Sequence, residues 1–321
     1  MRFKPLAAAV VTALSFTALP GWAAWPDDKP IEVVVGFAPG GGTDLMARKL
    51  LPFVQRRLSP NAQFIVVNKP GAAGELANGY AARAKADGYT LAVVNMPSFF
   101  FVPLTKKSQY QPDEFQLIAR VVDDPTVLAV RAESRFDSLQ ALVAESRQRP
   151  GSVSLGHNGA GTNGELAIHL LGRAAGVQLN PIAYKGTAAQ KTDLLGGHLD
   201  VALVSAGELP ELHGGGKGQV RGLAQLMPKR TDVLPQVPTA TEAGLQILMS
   251  SERGFAAPKG VPADILKRLE QAIAEALKDP EFLGTSTDDK VISFLPGAQW
   301  QRSMDQSRKA LQPLADSHPK N

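Results

Sequence analysis

Apolar strand-like runs alternate with helical patterns along most of the chain. The runs are Ile31–Val35, Gln63–Val67, Thr90–Val94, Thr126–Val130, Ser152–Leu155, Asn180–Tyr184, Asp200–Val204 and Val220–Gln225, and amphipathic or Ala-rich segments separate them. This alternation predicts an α/β protein built on a mainly parallel sheet. Met46, Leu50, Val54 and Leu58 recur every four residues and predict one apolar stripe on a helix after the first strand. Ile265, Leu266, Leu269, Ile273 and Leu277 mark another helix over 263–277, with Pro262 at its start.

The first 23 residues follow a different pattern. Arg2 and Lys4 supply positive charge, Leu6 to Leu19 an apolar core, and Gly21-Trp22-Ala23 a small-x-small cleavage site, the three parts of a secretory signal. Cleavage after Ala23 halves the formal charge of +4, so the sequence pI of 9.2 makes no case for nucleic acid. No later apolar run approaches the roughly 20 residues that cross a bilayer. The chain has no cysteine, which excludes a disulfide, a thiolate metal site, a Cys nucleophile and a lipid-anchored N-terminal Cys. These features point to the bacterial periplasm, and the length predicts two domains of about 100–150 residues each.

Three glycine-bearing loops sit where strands pass into helices. The first, Gly36-Phe37-Ala38-Pro39-Gly40-Gly41-Gly42-Thr43-Asp44, follows Val33-Val34-Val35 and resembles a nucleotide P-loop, but Gly42 stands where the phosphate-binding Lys belongs. That departure argues against ATP. The second, Gly156-His157-Asn158-Gly159-Ala160-Gly161-Thr162-Asn163-Gly164-Glu165, contains a literal G-x-G-x-x-G, yet the next strand ends in Tyr184-Lys185-Gly186 rather than a ribose-binding acid. Thr162 with Glu165, and Thr187 with Gln190, have the spacing of capping boxes. Each loop alone is as well explained by a capped helix as by a ligand. Together they lie at the edge of a parallel sheet where α/β proteins place their sites, and helix-terminal amides there accept anions. Asn95 and Ser98, at the end of a strand, are further candidates for the same cleft, whereas Phe99, Phe100 and Phe101 read as core.

Catalytic constellations are missing. His157, His169, His198, His213 and His318 form no H-E-x-x-H pattern, no serine sits in a G-x-S-x-G elbow, and the pairs Asp27-Asp28, Asp123-Asp124 and Asp288-Asp289 read as solvated loop positions. The expectation is a protein without enzymatic activity, metal or cofactor.

Beyond these features, the chain resembles the solute receptors of tripartite tricarboxylate transporters, the Bug or TctC-like receptors. The resemblance rests on Phe37-Ala38-Pro39-Gly40-Gly41-Gly42-Thr43-Asp44, Asn68-Lys69-Pro70-Gly71, Ala86-Asp87-Gly88-Tyr89-Thr90-Leu91, Tyr184-Lys185-Gly186, Asp193-Leu194-Leu195-Gly196-Gly197 and the segment from Leu234 to Gly244. It implies a type II-like periplasmic-binding-protein clamshell of two α/β domains, the first from 24–124 with 249–321 and the second 125–248. It further implies a monomer that holds a small organic acid by one carboxylate and delivers it to membrane permease subunits. A ligand-sensing module for a membrane sensor kinase is the alternative. By position, Gly40, Gly41, Gly42, Thr43 and Asp44 would form one wall of the ligand site and Gly159, Ala160, Gly161, Thr162 and Asn163 the facing one. Tyr184, Lys185 and Gly186 would flank it. Such receptors often carry His where Glu165 stands, so Glu165 is expected either to cap its helix or to select a ligand bearing an amino group.

Overall fold

The computed structural model describes residues 25–209, 218–285 and 291–317. The export signal and its cleavage site, His213, His318 and Asp288-Asp289 lie outside the described residues.

Ten strands form one curled sheet in the order β2-β1-β3-β9-β4-β7-β5-β6, with β8 and β10 also paired to β4. One wing is parallel: β1 (Ile31–Val35) lies between β2 (Phe64–Asn68) and β3 (Thr90–Met96). The other wing is parallel too, with β5 (Ser154–His157) between β6 (Asn180–Ala183) and β7 (Val201–Ser205). Helices α1 (Gly42–Leu58), α2 (Glu75–Ala82) and α3 (Ser98–Thr105) flank the first wing, and α4 (Leu139–Gln148), α5 (Asn163–Ala175) and α6 (Thr187–Gly196) the second.

The wings meet at an antiparallel spine that the apolar pattern does not announce. Strand β4 runs 17 residues, from Phe115 to Arg131, and only its last third coincides with the predicted run Thr126–Val130. Its first part, through Pro125, pairs with β9 (Ser250–Pro258), and β10 (Ile292–Pro296) joins it there. From Thr126 onward it pairs instead with β7 and with β8 (Val220–Gln225). The partner of one unbroken strand thus changes between Pro125 and Thr126.

The C-terminal helices α7 (Ala263–Ala276), α8 (Pro280–Thr285) and α9 (Gly297–Ser317) return to the first wing. The stripe Met46, Leu50, Val54 and Leu58 is buried as predicted, in a core shared with Ile265, Leu269 and Ile273 of α7. Phe99, Phe100 and Phe101 are fully buried, in a second core that passes beneath the spine to Leu155 and Leu166. That continuity fixes how the two wings present their loops to each other.

Candidate functional site

Two helix starts face each other across the gap between the wings, and their backbones are nearly the same. Helix α1 has Gly41 as N-cap (φ −75°, ψ 160°) and α5 has Thr162 (φ −78°, ψ 160°). The residue before each N-cap is a glycine in the left-handed region, Gly40 at φ 80° and Gly161 at φ 78°. The N-cap amides donate to carbonyls three residues back, Gly41 to Ala38 and Thr162 to Gly159, both at 3.3 Å. In each loop a carboxylate on the third helical residue reaches past the N-cap to the glycine amide: Asp44 accepts from Gly40 at 2.9 Å and Glu165 from Gly161 at 2.6 Å.

This arrangement corrects the capping-box expectation. The Thr162 hydroxyl donates to the Gly159 carbonyl at 2.7 Å instead of accepting a helix amide, and Glu165 bonds one residue earlier than a capping box requires. With those loop amides satisfied internally, Gly42 and Thr43 on α1, and Asn163 and Gly164 on α5, supply first-turn amides that have no intrahelical partner. A third helix start, that of α6, has Gly186 rather than Thr187 as N-cap. Thr187 donates to Glu208 Oε1 at 3.0 Å and accepts from Asn158 Nδ2 at 3.1 Å, while Gln190 donates to Asn158 Oδ1. The second predicted capping box is therefore a side-chain relay along the wall of the gap.

The gap divides into a small polar pocket of about 100 Å³ and an adjoining larger cavity of about 680 Å³. The small pocket receives all three helix starts, through Gly41, Gly42 and Thr43, through Thr162 and Asn163, and through Gly186 and Thr187; Asn95, Ser98 and Lys185 also line it. The larger cavity is lined by Gly159, Ala160, Gly161, Tyr184 and Lys185 from one side, and by Phe37, Pro70, Ala72, Ala73, Val102 and Lys106 from the other. Its wall is mainly apolar, and Lys106 is paired to Glu75 at 2.7 Å.

Among the residues singled out from the sequence, Gly40 and Asp44 line neither space. The Asp44 side chain is buried and accepts from Gly40, from Arg48 Nε at 2.9 Å and from Asn68 Nδ2 at 2.9 Å. Burial pushes its pKa up, but the Gly40 amide, Arg48 and Asn68 outweigh burial and hold it below the ordinary Asp value. Asp44 builds the loop, with its carboxylate turned to Gly40, Arg48 and Asn68. Glu165 is likewise turned into its own loop, accepting from the Gly161 amide near the start of α5. The Tyr184 hydroxyl donates to Asp193 at 2.8 Å, and burial together with that carboxylate pushes its pKa up to about 12. Tyr184 offers the cavity its ring.

Thr43 is better placed. Its Oγ1 accepts from Asn95 Nδ2 at 2.8 Å, which leaves the hydroxyl proton to be donated elsewhere. Asn163 donates to Thr126 Oγ1 at 2.7 Å, tying the second loop to the spine.

Sequence reasoning missed Asn158, Thr187, Ser205, Glu208, Ser251 and Arg253 in the small pocket. Asn158 and Thr187 lie within motifs already marked. Ser251 and Arg253 come from β9, whose stretch Ser250-Ser251-Glu252-Arg253-Gly254 carries no apolar alternation and reads as a loop. Arg253 is 7% exposed, pairs with Asp124 at 3.3 Å and donates to Ser205 Oγ at 3.0 Å. Among the described residues no three His, Asp or Glu side chains gather as metal ligands, and no helix is long and apolar enough to cross a membrane.

Two α/β wings on a shared strand spine, with helix starts converging on a polar pocket between them, define a two-domain clamshell of the solute-binding kind. The sequence matches the tripartite tricarboxylate transporter family receptor profile (TctC) over residues 46–312, and the chain belongs to that family. It is 34% identical to BugT of Bordetella pertussis over 255 residues, covering 78% of this chain and 77% of that protein. Among solved structures, the periplasmic binding protein BugD superposes with a TM-score of 0.78 at 29% identity, covering 89% of this chain and 96% of BugD. A Rhodopseudomonas palustris protein with adipate superposes at 0.81 (26% identity, 91% and 97% covered), and MatC from Rhodopseudomonas palustris with bound malate at 0.75 (27% identity, 89% and 96% covered). The family is one of periplasmic solute-binding receptors.

Proposed function

We propose that this receptor captures a small carboxylate-bearing metabolite in the periplasm and hands it to the membrane permease of a tripartite tricarboxylate-type transporter, without chemistry on the ligand. The observation that carries the reading is the convergence of the α1, α5 and α6 starts on one polar pocket. Aligned peptide dipoles and unpaired amides favour an anion there, each terminus by about 0.3–1 kcal/mol at an exposed site and more when water is excluded. Malate and adipate bound by relatives support a carboxylate as the occupant.

In this reading Gly42, Thr43, Thr162, Asn163 and Gly186 surround the carboxylate, and the rest of the ligand extends into the larger cavity beside Phe37 and Tyr184. The domains are 24–124 with 249–321, and 125–248, so that the ligand bridges them and stabilises the shut state. The mature chain begins after Ala23.

The test is a thermal-shift screen of the signal-free protein, unfolded and refolded to remove carried-over ligand, against carboxylates, amino acids, ATP and NAD. A ligand at a hundred times its Kd adds about 2.7 kcal/mol to the native state and raises Tm by a few degrees. A shift with one structural set of acids is expected. Shifts confined to nucleotides, or turnover of a bound acid, would overturn the reading.

A further inference from the structure

Gly42 occupies the position where a P-loop carries its phosphate-binding lysine, yet the space beside it holds a cation. A Cβ built on Gly42 would lie 3.0 Å from Nη1 and 3.4 Å from Cζ of Arg253, which arrives from β9. The guanidinium therefore packs directly against the first residue of α1, and it lines the same small pocket as Thr43, Asn163 and Thr187. Gly42 is the residue that makes room for it.

A guanidinium has five N–H donors. One nitrogen, Nη1, faces Asp124 and another, Nη2, donates to Ser205, while Nε is buried without a hydrogen-bond partner among the described residues. Asn95 Oδ1, in the same pocket, is also buried without a partner among the described residues. A buried arginine with a spare donor beside three helix starts has the chemistry of an anion clamp rather than of a closed structural ion pair, whereas Asn95 Oδ1, an acceptor, adds nothing to it.

We infer that Arg253 is the charge-reading residue of the small pocket: it supplies, from a strand of the spine, the full positive charge that the glycine loop lacks, and donates to the carboxylate held at the start of α1. The inference rests on the receptor reading above and adds a residue to it. Asp124 pairs with one side of the guanidinium, and Lys185 and Glu208 both line the pocket, so a carboxylate held there would draw on the donors that Asp124 and Ser205 leave unused. A neutral carboxamide of the same shape gains less from a cation, and selectivity for acid over amide is the signature of the role.

The experiment is calorimetric titration of malate, adipate and benzoate, each with its carboxamide analogue, into wild type, Arg253→Lys, Gly42→Ala and the double variant Arg253→Gln/Asp124→Asn. The double variant removes both charges together, so the fold keeps no uncompensated buried carboxylate. For the acid that wild type binds most tightly, the double variant should lose roughly 10- to 100-fold in affinity while its amide loses little. Arg253→Lys should retain most of the preference for acid. Gly42→Ala keeps every charge and displaces the guanidinium, so it should weaken the acid as well, and it carries the test if the double variant fails to fold. Acid affinity within threefold of wild type in both the double variant and Gly42→Ala, or acid and amide weakened by the same factor, would overturn the inference and leave the receptor reading intact. Wild type binding none of the acids would sink both.

Discussion

The loops 38–44 and 158–165 are the same device built twice with different materials. Both place a left-handed glycine before the N-cap, and both hold it with a carboxylate from the third helical residue. The first loop is bare at its N-cap and first helical position, Gly41 and Gly42, and its carboxylate is braced by Arg48 and Asn68. The second carries side chains there, Thr162 and Asn163, and of the contacts described for its carboxylate the Gly161 amide is the one that shapes the loop. The difference teaches a division of labour. The bare loop admits a guanidinium from behind and, in the proposed function, a ligand from the front, whereas the clothed loop fastens itself to the spine through Asn163 and Thr126.

The largest expected effect separates the two left-handed glycines. A Cβ on Gly161 would meet Val102 Cγ2 of the other wing at 2.8 Å, while one on Gly40 meets nothing within 4 Å. Both Gly→Ala changes carry about 1–2 kcal/mol of backbone strain, visible in urea unfolding. Only Gly161→Ala should also wedge the wings apart and lower ligand affinity by roughly 100-fold, about 2.7 kcal/mol, in calorimetry. Equal affinities for the two variants would break the distinction.

The carboxylates come next. Asp44→Asn should cost about 2–3 kcal/mol of stability and Glu165→Gln about 1, because hydrogen bonds to charged groups contribute more and Asp44 has the greater set of donors. The pH dependence follows from the depressed pKa of Asp44. A group whose folded pKa lies below its unfolded value stabilises the fold above the unfolded value, near 3.8, and loses that contribution as pH falls through the folded one. Unfolding curves of wild type and Asp44→Asn should therefore converge below about pH 4. Curves that stay parallel would show that the Asp44 charge does not hold the loop.

Hydroxyl removal sharpens the comparison further. Thr43→Val should weaken ligand binding about tenfold and also cost about 1 kcal/mol of stability, since Thr43 faces the pocket and its hydroxyl accepts from the Asn95 amide. Thr162→Val should cost a similar ~1 kcal/mol of stability with a smaller loss of affinity, because its hydroxyl proton is spent on Gly159. The smallest effect belongs to Tyr184→Phe. Its hydroxyl is turned to Asp193, so affinity should stay within about threefold of wild type.

How much of this was legible beforehand depends on what kind of signal carried it. Buried parallel strands and amphipathic helices announce themselves by period, so β1, the α1 stripe and the loops between them were readable from Val33 to Leu58. The pocket's position followed from those loops. The spine was not readable from the apolar pattern, because the first part of β4 mixes Arg120, Asp123 and Asp124 among its apolar residues and the first part of β9 is polar; crossing strands between the domains were implied by the family resemblance alone. Arg253 was hidden with it. The internal use of Asp44 and Glu165 escaped for a finer reason: a carboxylate at the capping-box position serves either the N-cap or the residue before it, and the choice is made by a left-handed glycine whose dihedral angle the sequence does not state.

The unbroken strand β4 has a mechanical consequence. A clamshell whose lobes were joined by slack loops would swing freely, but here the change of partner at Pro125 and Thr126 happens within a hydrogen-bonded ribbon that β9 shares. In the proposed function, opening and closing would be a twist of that ribbon, with the ladder bonds on either side kept intact. Amides along 120–128 should exchange slowly with solvent in both states. In that reading the angle between the lobes would be an elastic property of two paired strands, and loss of the ligand would let them relax as a bent spring does.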